Sequence, residues 1–274
     1  MKRTPLQSAI LHTLLVLAVL LVCAPVIMAF IISSQTETEV LSYPPKLTFS
    51  SNWGYNYSTA WNRINLGRMM FNSAFIAIMV TTGKIIMSLL AAFAFTHFEF
   101  RGKQTLFFLI IVTLLLPVPV RIVALFDVVS KFGWINTYAG LIAPFLASAT
   151  GTFLFIQRFK TVPTELIDAS KMDGCRPMQY FFKILLPLTK STIGALVVIE
   201  FIYVWNQYLW PLMATNSDKM RVVQIGIKML MNAESSNNWG VIMAGVIMTM
   251  LPPLIVFFVL QESFMRGFAL QSDK

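Results

Sequence analysis

The sequence is poor in charge and in the residues that form metal sites and disulfides. Only 12% of its 274 residues are charged, whereas soluble proteins carry about 25%. Its two cysteines, Cys23 and Cys175, and its two histidines, His12 and His97, are far apart in the chain, so we expect neither a structural disulfide nor a metal site. The net charge of +9 comes from basic residues scattered over short loops, which argues against nucleic-acid binding.

The sequence also lacks the motifs of a self-contained enzyme or ATPase. No GxxxxGK[ST] phosphate-binding loop occurs, so we expect no ATP binding by that route. Catalysis of hydrolysis or group transfer would need a nucleophile paired with a general base, or a cluster of carboxylates. Neither pattern stands out in the sequence. We therefore predict no catalytic residues, no metal and no cofactor bound by this chain.

Hydrophobic residues, by contrast, make up 57% of the sequence, and the mean hydropathy is +0.71. Six apolar stretches are each compatible with the ~20 residues that cross a bilayer; they cover residues 10–32, 70–96, 105–127, 138–159, 191–215 and 239–262. The first exceeds the ~7 to 15 apolar residues of a secretory signal, so we predict that it remains a membrane helix. The predicted fold is an all-α polytopic membrane protein with six transmembrane helices, residues 1–274 forming a single transmembrane domain.

Prolines occur inside two of these stretches. Pro117 and Pro119 lie in the third, and Pro252 and Pro253 lie in the sixth. Because proline lacks a backbone donor and clashes with the preceding turn, we expect both helices to kink or break there.

Lysine and arginine are more frequent on one face of the predicted bundle than on the other. The richer face carries both termini and residues 161–190, and the poorer face carries residues 33–69 and 216–238. The positive-inside rule therefore predicts that both termini and residues 161–190 are cytoplasmic.

A charged segment separates the fourth and fifth stretches and reads ELIDASKMDGCRPMQYFFKILLPLTK. Glu165 and Asp168 place negative charge near the start of a short helix, and we expect this helix to end at Gly174. Apolar residues at spacings of three and four predict a second helix over residues 177–186. We therefore predict a cytoplasmic helix-glycine-helix loop over residues 161–190, whose apolar side chains pack on the protein itself or on a partner.

The spacing of this loop resembles the EAA loop of the permeases of ATP-binding-cassette (ABC) importers. The matching positions are Asp168-Ala169-Ser170, then Gly174 after three residues, Ile184 after nine more and Leu186-Pro187 after one more. Asp168 stands for the usual Glu, and Ser170 for the second Ala. In that family the short helix is a coupling helix that sits in a groove of the ATPase subunit. The resemblance implies a type I importer permease with the ATPase-coupling residues Glu165, Asp168, Ala169, Ser170, Asp173 and Gly174.

Three further segments resemble parts of this family more narrowly. The segment FIYVWNQYLWPLMAT is similar to the fifth-span signature of the carbohydrate-type importers. The segments LLPVPVRIV and YAGLIAPFLASATGTFLFIQRF resemble the permeases that import sn-glycerol-3-phosphate. The implied substrate is sn-glycerol-3-phosphate or a glycerophosphodiester such as glycerophosphocholine, and the alternative is an oligosaccharide or another sugar.

The family resemblance also implies the assembly in which the chain works. We expect the chain to form a heterodimer with a homologous second permease in the lipid of a bacterial inner membrane. Each of the two chains would cross this membrane several times. A dimeric ABC ATPase at the cytoplasmic face would bind ATP and Mg, and an extracytoplasmic solute-binding protein would deliver the substrate.

A phosphate-bearing substrate needs a cation and hydrogen-bonding groups along its path. Arg121, just after the two prolines of the third stretch, is the candidate contact for the anion; its alternative role is an interfacial arginine that reaches lipid headgroups. The fifth stretch supplies Glu200, Tyr203 and Gln207 at spacings of three and four, with Asn206 adjacent. These five are the predicted substrate-path residues.

Glu200 is unusual because an unpaired charge within a span costs about 2.5 to 3.5 kcal/mol on insertion scales. Lys84, in the second stretch, is the candidate partner. A structural Lys84–Glu200 pair and a substrate role for Glu200 are both open, although a carboxylate would repel a phosphate. The two charges would also suit an ion-coupled secondary carrier, which would not need the helix-glycine-helix loop. A membrane-embedded enzyme acting on lipid headgroups is the weaker alternative.

Overall fold

A computed structural model describes residues 5–115, 117–232 and 238–269, and within these ranges the chain forms helices and no strand. The first half contains α1 (Pro5–Ile32), α2 (Glu37–Val40), α3 (Trp53–Arg63), α4 (Leu66–His97), α5 (Lys103–Leu114), α6 (Val118–Lys131) and α7 (Tyr138–Ile142). The second half contains α8 (Ala149–Lys160), α9 (Thr164–Met172), α10 (Pro177–Tyr180), α11 (Leu186–Leu188), α12 (Lys190–Trp205), α13 (Leu209–Ala214), α14 (Val223–Asn232) and α15 (Trp239–Ala269). A 3₁₀ turn, Ala143–Phe145, follows α7, and a π-helical turn, Phe181–Leu185, joins α10 to α11.

Among the described residues, four helical segments are long and apolar enough to cross a membrane, and they coincide with four of the predicted stretches. They are Gln7–Ile32, Leu66–His97, Tyr138–Lys160 and Trp239–Met265. The last of them continues as one helix through Pro252 and Pro253, so the helix does not break there, and the kink stays a prediction. In a membrane helix, neighbouring groups can satisfy the backbone carbonyls that a proline leaves without a donor.

The third predicted stretch is divided at its prolines, as the sequence indicated. α5 ends at Leu114, and α6 begins at Val118 with Pro117 as its N-cap and Pro119 in its first turn. Proline suits this place because its fixed φ is helical and the first turn needs no donor from it.

The fifth predicted stretch also departs from a single helix. α12 ends at Trp205, and α13 follows after a short break. At its start, α12 is bent by 73° from Pro177–Leu188, and the two helices together are apolar and long enough to form a broken span.

The chain divides into two compact units by its internal packing. The first comprises Met1–Gly67 and Gly226–Leu251, and the second comprises Arg68–Ile225 and Pro252–Lys274. Every predicted coupling or substrate-path residue belongs to the second unit.

A buried asparagine organises the first unit. The Asn56 side-chain amide donates to the carbonyl oxygens of Ser33 and Gln35, both at 2.9 Å. Gly240 lies against this group so closely that an added Cβ would stand 2.5 Å from the Gln35 carbonyl oxygen. The asparagine thus provides the donors that the chain needs where it leaves α1.

An aromatic core in the second unit joins α4, α8 and the π-helical turn. Phe155 and Leu185 are fully buried, and Phe93 and Phe181 are nearly so. The ring centroids of Phe93 and Phe181 lie 5.0 Å apart. This core fixes the second half of the 161–190 loop to the ends of two membrane-length helices.

Candidate functional site

The predicted helix-glycine-helix motif is formed in the structure. α9 ends at Met172, and Gly174 adopts a left-handed conformation with φ 69°. The Gly174 N–H donates to the Lys171 carbonyl at 3.0 Å, and the Cys175 N–H donates to the Ser170 carbonyl at 2.9 Å. These bonds satisfy carbonyls that the end of α9 would leave free. Glycine suits the turn because a side chain in this conformation costs roughly 1 to 2 kcal/mol.

The six predicted coupling residues do not all lie on the surface. Glu165, Asp168, Ala169, Asp173 and Gly174 are exposed. Ser170 is buried, and its hydroxyl donates to the Ile167 carbonyl at 2.7 Å. Five of these residues are therefore available to a partner, and Ser170 supports the helix from within.

The loop also presents apolar side chains to the surroundings. Met172 is 88% exposed and Leu166 is 40% exposed, and neither was among the residues that the sequence analysis selected. Met178 and Phe182 are exposed as well. The spacing of Met178 and Phe182 had left open whether they pack on the protein or on a partner, and the structure leaves both exposed. Apolar side chains next to charged ones are typical of a surface that another protein covers.

The second half of the loop is anchored firmly. The Tyr180 ring is buried 5.3 Å from the ring of His97, at the end of α4. The Arg158 guanidinium, near the end of α8, donates to the Leu188 carbonyl at 2.7 Å. These contacts hold the second half of the loop against the ends of α4 and α8.

Lys84 and Glu200 form a buried ion pair between α4 and α12. Lys84 Nζ lies 2.6 Å from Glu200 Oε2, and the two side chains are only 10% and 8% exposed. The Ser148 hydroxyl, which the sequence analysis did not select, donates to Glu200 Oε1 at 3.1 Å. Of the two interpretations left open for Glu200, the structure forms the pair.

The other predicted residues lie on α12 or just after its end and are more exposed than the ion pair. Tyr203 is 45% exposed, with Lys84 Nζ 5.1 Å from its ring centroid. Asn206 is exposed and Gln207 is half-buried. The Asn206 Oδ1 accepts a hydrogen bond from Gln224 Nε2 at 3.1 Å. Gln224 could not be selected from the sequence, because nothing in the residues around it indicates that its side chain lies beside the end of α12.

Arg121 lies in the first turn of α6 and is exposed. Within the described part of the chain it makes no ion pair, and no hydrogen bond joins it to Glu200, Tyr203, Asn206 or Gln207. The positive end of the α6 dipole adds to its charge. The structure thus presents two separate sets of polar side chains. One is the Arg121 cation on α6, and the other is the hydrogen-bonding side chains on and just after α12 and on α14.

Comparison with protein families identifies the chain. Residues 84–269 match the family described as binding-protein-dependent transport system inner membrane component. The chain belongs to this family. It is accordingly a multi-pass inner-membrane permease subunit of an ABC importer, a non-catalytic component, and the matched region contains the whole helix-glycine-helix loop. The ion-coupled carrier and the membrane-embedded enzyme are therefore set aside.

Several relatives match the permease over nearly its full length. Each is named sn-glycerol-3-phosphate transport system permease protein UgpE. The protein from Agrobacterium fabrum is 40% identical over 271 residues, covering 96% of both chains. The protein from Yersinia enterocolitica is 40% identical over 263 residues, covering 93% of this chain and 94% of its own.

Two solved structures share the permease's fold. One is a bacterial ABC transporter involved in the import of the acidic polysaccharide alginate, with TM-score 0.81, 18% identity and coverage of 96% of this chain and 99% of that one. The other is a bacterial alginate ABC transporter in complex with an alginate pentasaccharide-bound periplasmic protein, with TM-score 0.68, 12% identity and coverage of 95% and 94%. At these identities the likeness concerns the fold alone.

Proposed function

We propose that the permease imports sn-glycerol-3-phosphate or a glycerophosphodiester such as glycerophosphocholine. The observation that carries the proposal is the full-length similarity, at about 40% identity, to permeases named for sn-glycerol-3-phosphate transport. Transport proceeds by alternating access, in which two permease chains open in turn to the two sides of the membrane.

ATP hydrolysis in partner subunits drives this cycle through the 161–190 loop. The exposed residues Glu165, Asp168, Ala169, Asp173 and Gly174, together with Met172, contact the ATPase. Ser170 keeps the short helix folded beneath them. Because Tyr180 and Arg158 tie the loop to α4 and α8, closure of the ATPase dimer moves these helices. ATP and Mg are bound by the ATPase subunits, and this chain binds no cofactor.

The substrate meets a cation and a set of neutral polar groups. Arg121 attracts the phosphate, since its guanidinium is exposed and beside the positive end of a helix. Tyr203, Asn206, Gln207 and Gln224 offer hydrogen bonds to hydroxyl groups. Glu200 acts indirectly: its pairing with Lys84 neutralises a carboxylate that would otherwise repel the phosphate.

The remaining features of the proposed assembly concern its surroundings. A homologous second permease completes the translocation pathway as a heterodimer, and a solute-binding protein delivers substrate from outside. Both termini and the 161–190 loop lie in the cytoplasm, because that face is richer in lysine and arginine.

The test is ATP hydrolysis by the assembled complex, two permeases with two ATPase subunits, reconstituted with its binding protein. The binding protein is supplied with sn-glycerol-3-phosphate, glycerophosphocholine or maltose. We expect stimulation by one or both glycerophosphate compounds and none by maltose. Stimulation by maltose alone would show that the permease serves a sugar, and the substrate proposal would be wrong.

A further inference from the structure

A cavity separate from the coupling loop and the substrate-path residues lies among α4, α5 and α8. Its volume is about 590 Å³, within the range of small-ligand sites. Glu99, just after α4, Lys103, at the start of α5, and Lys160, at the end of α8, line it together with aromatic side chains. The proposed function gives this cavity no role.

One part of the cavity is aromatic. The ring of Phe95 lies 5.8 Å from that of Phe100 and 5.9 Å from that of Phe107, between centroids. Ile156 extends the same wall. Such a wall favours a hydrocarbon chain, because covering it removes apolar surface from water.

The other part of the cavity is cationic. Lys103 Nζ donates to Glu99 Oε1 at 2.7 Å and to the Phe98 carbonyl at 3.0 Å, which fixes its ammonium at the wall. Lys160 makes no ion pair with any residue that the structure describes, so two cations face one carboxylate. The Glu99 side chain is 90% exposed and that of Lys103 only 24%, so the carboxylate can move away while the ammonium stays.

The start of α5 contributes further donors. Gly102, its N-cap residue, has no side chain to satisfy the first N–H groups of the helix. These groups belong to residues that line the cavity, including Gln104 and Thr105. They add to the attraction that the two lysines exert on an anion.

The position of the cavity indicates the kind of anion. α4 and α8 belong to the membrane-length segments Leu66–His97 and Tyr138–Lys160, and the cavity lies at the ends of both. The ends of spanning helices lie where lipid hydrocarbon gives way to phosphate headgroups, and basic pockets between such helices suit anionic headgroups. A soluble anion has no hydrocarbon part that could cover the aromatic wall.

We infer that this cavity binds an anionic phospholipid, with its headgroup phosphate at Lys103 and Lys160 and an acyl chain against Phe95 and Phe107. Phosphatidylglycerol carries the required charge and shape. The bound lipid links the start of α5 to the end of α8. Binding is independent of which solute the permease transports.

The test uses the assembled complex in phosphatidylcholine nanodiscs that contain a small fraction of phosphatidylglycerol. Native mass spectrometry counts the phosphatidylglycerol molecules that stay bound after release from the nanodisc. We expect apparent affinity to fall about fivefold for each lysine removed in Lys103→Ala and Lys160→Ala. Glu99→Gln removes a repelling carboxylate and is expected to strengthen binding. Lys131→Ala, which removes an exposed lysine elsewhere, is the charge-matched control and is expected to change nothing.

A parallel measurement adds millimolar inorganic phosphate, which carries the same anionic chemistry without an acyl chain. We expect phosphatidylglycerol to remain bound. Displacement of the lipid by inorganic phosphate would assign the cavity to the free anion and overturn the lipid as its occupant. Equal retention of phosphatidylcholine, or an unchanged count in Lys160→Ala and Glu99→Gln, would overturn the site itself.

Discussion

Lys84 and Glu200 are two charged side chains inside an apolar unit, and each compensates the charge that the other buries. Their separation of 2.6 Å and their near-complete burial mean that neither has water as a substitute partner. Removing one member of a buried pair typically costs 3 to 5 kcal/mol, whereas replacing both by apolar residues is often neutral. The pair is thus expected to matter through its balance of charge.

We predict that Lys84→Met and Glu200→Leu each destabilise the complex and that the double variant recovers most of the loss. The physical reason is the uncompensated charge that each single variant buries, at about 3 to 5 kcal/mol. Thermal unfolding and the yield of assembled complex measure the effect. Asp127→Asn, which disrupts the exposed Asp127–Lys131 pair, should leave both unchanged. If the two single losses simply add in the double variant, the side chains do not act as a pair.

Arg121 has a different expected role, because its guanidinium is exposed. We predict that Arg121→Gln raises the KM for the phosphate-bearing substrate by about tenfold or more, the equivalent of one lost charge-assisted hydrogen bond. Arg121→Lys should retain part of the affinity. Uptake kinetics measure both variants, with Lys131→Gln on the same helix as the control. An unchanged KM in Arg121→Gln would instead indicate an arginine that only contacts lipid headgroups.

At the scale of helices, the sequence was sufficient wherever a pattern is local. Six apolar runs were predicted to span the membrane, and four of them coincide with membrane-length helical segments in the described residues. Pro117 predicted the division between α5 and α6. Gly174 likewise marked the turn after α9. Each of these features depends on residues within a few turns of one another.

The sequence was insufficient where a feature depends on distant neighbours. Proline alone could not show that α15 continues through Pro252 and Pro253, since that depends on what satisfies the freed carbonyls. Ser148 and Gln224 contact predicted residues that are 52 and 18 positions away. No spacing rule predicts such contacts, so both residues were missed.

The turn at Gly174 in the 161–190 loop gives a prediction about backbone conformation. Gly174 has a left-handed φ of 69°, and an added Cβ would meet no atom within 4 Å. We therefore predict that Gly174→Val impairs transport by straining the turn, while Gly174→Asn, which tolerates this conformation, preserves most of the transport. ATP hydrolysis and uptake are measured together in the reconstituted complex. Normal ATP hydrolysis coupled to normal uptake in Gly174→Val would refute a coupling role for the turn.

At the scale of the whole molecule, much apolar surface is left uncovered by the residues that the structure describes. The most apolar window of Gln7–Ile32 has none of its residues buried, and Leu21 and Val22 are each 77% exposed. Membrane lipid is the surrounding that makes such a surface stable.

The proposed orientation is tested with single engineered cysteines in a variant that lacks Cys23 and Cys175. Tyr43 is 97% exposed and Met172 is 88% exposed, so a cysteine at either position is accessible. We predict that a membrane-impermeant maleimide labels Tyr43→Cys in spheroplasts, whereas Met172→Cys reacts only in inverted vesicles prepared without the ATPase subunits. The reverse pattern would place the coupling loop outside and contradict cytoplasmic termini.

The Lys84–Glu200 pair also constrains how the chain is made. The two residues are 116 positions apart, so at ~5 to 20 residues per second Lys84 leaves the ribosome on the order of ten seconds before its partner. During that interval α4 holds an unpaired ammonium in an apolar segment, a state that costs about 2.5 to 3.5 kcal/mol in the bilayer. The insertion machinery is therefore expected to retain α4 until α12 emerges. The helices of the nascent chain would then enter the lipid in an order that depends on two things, the order in which they are translated and the completion of the Lys84–Glu200 pair.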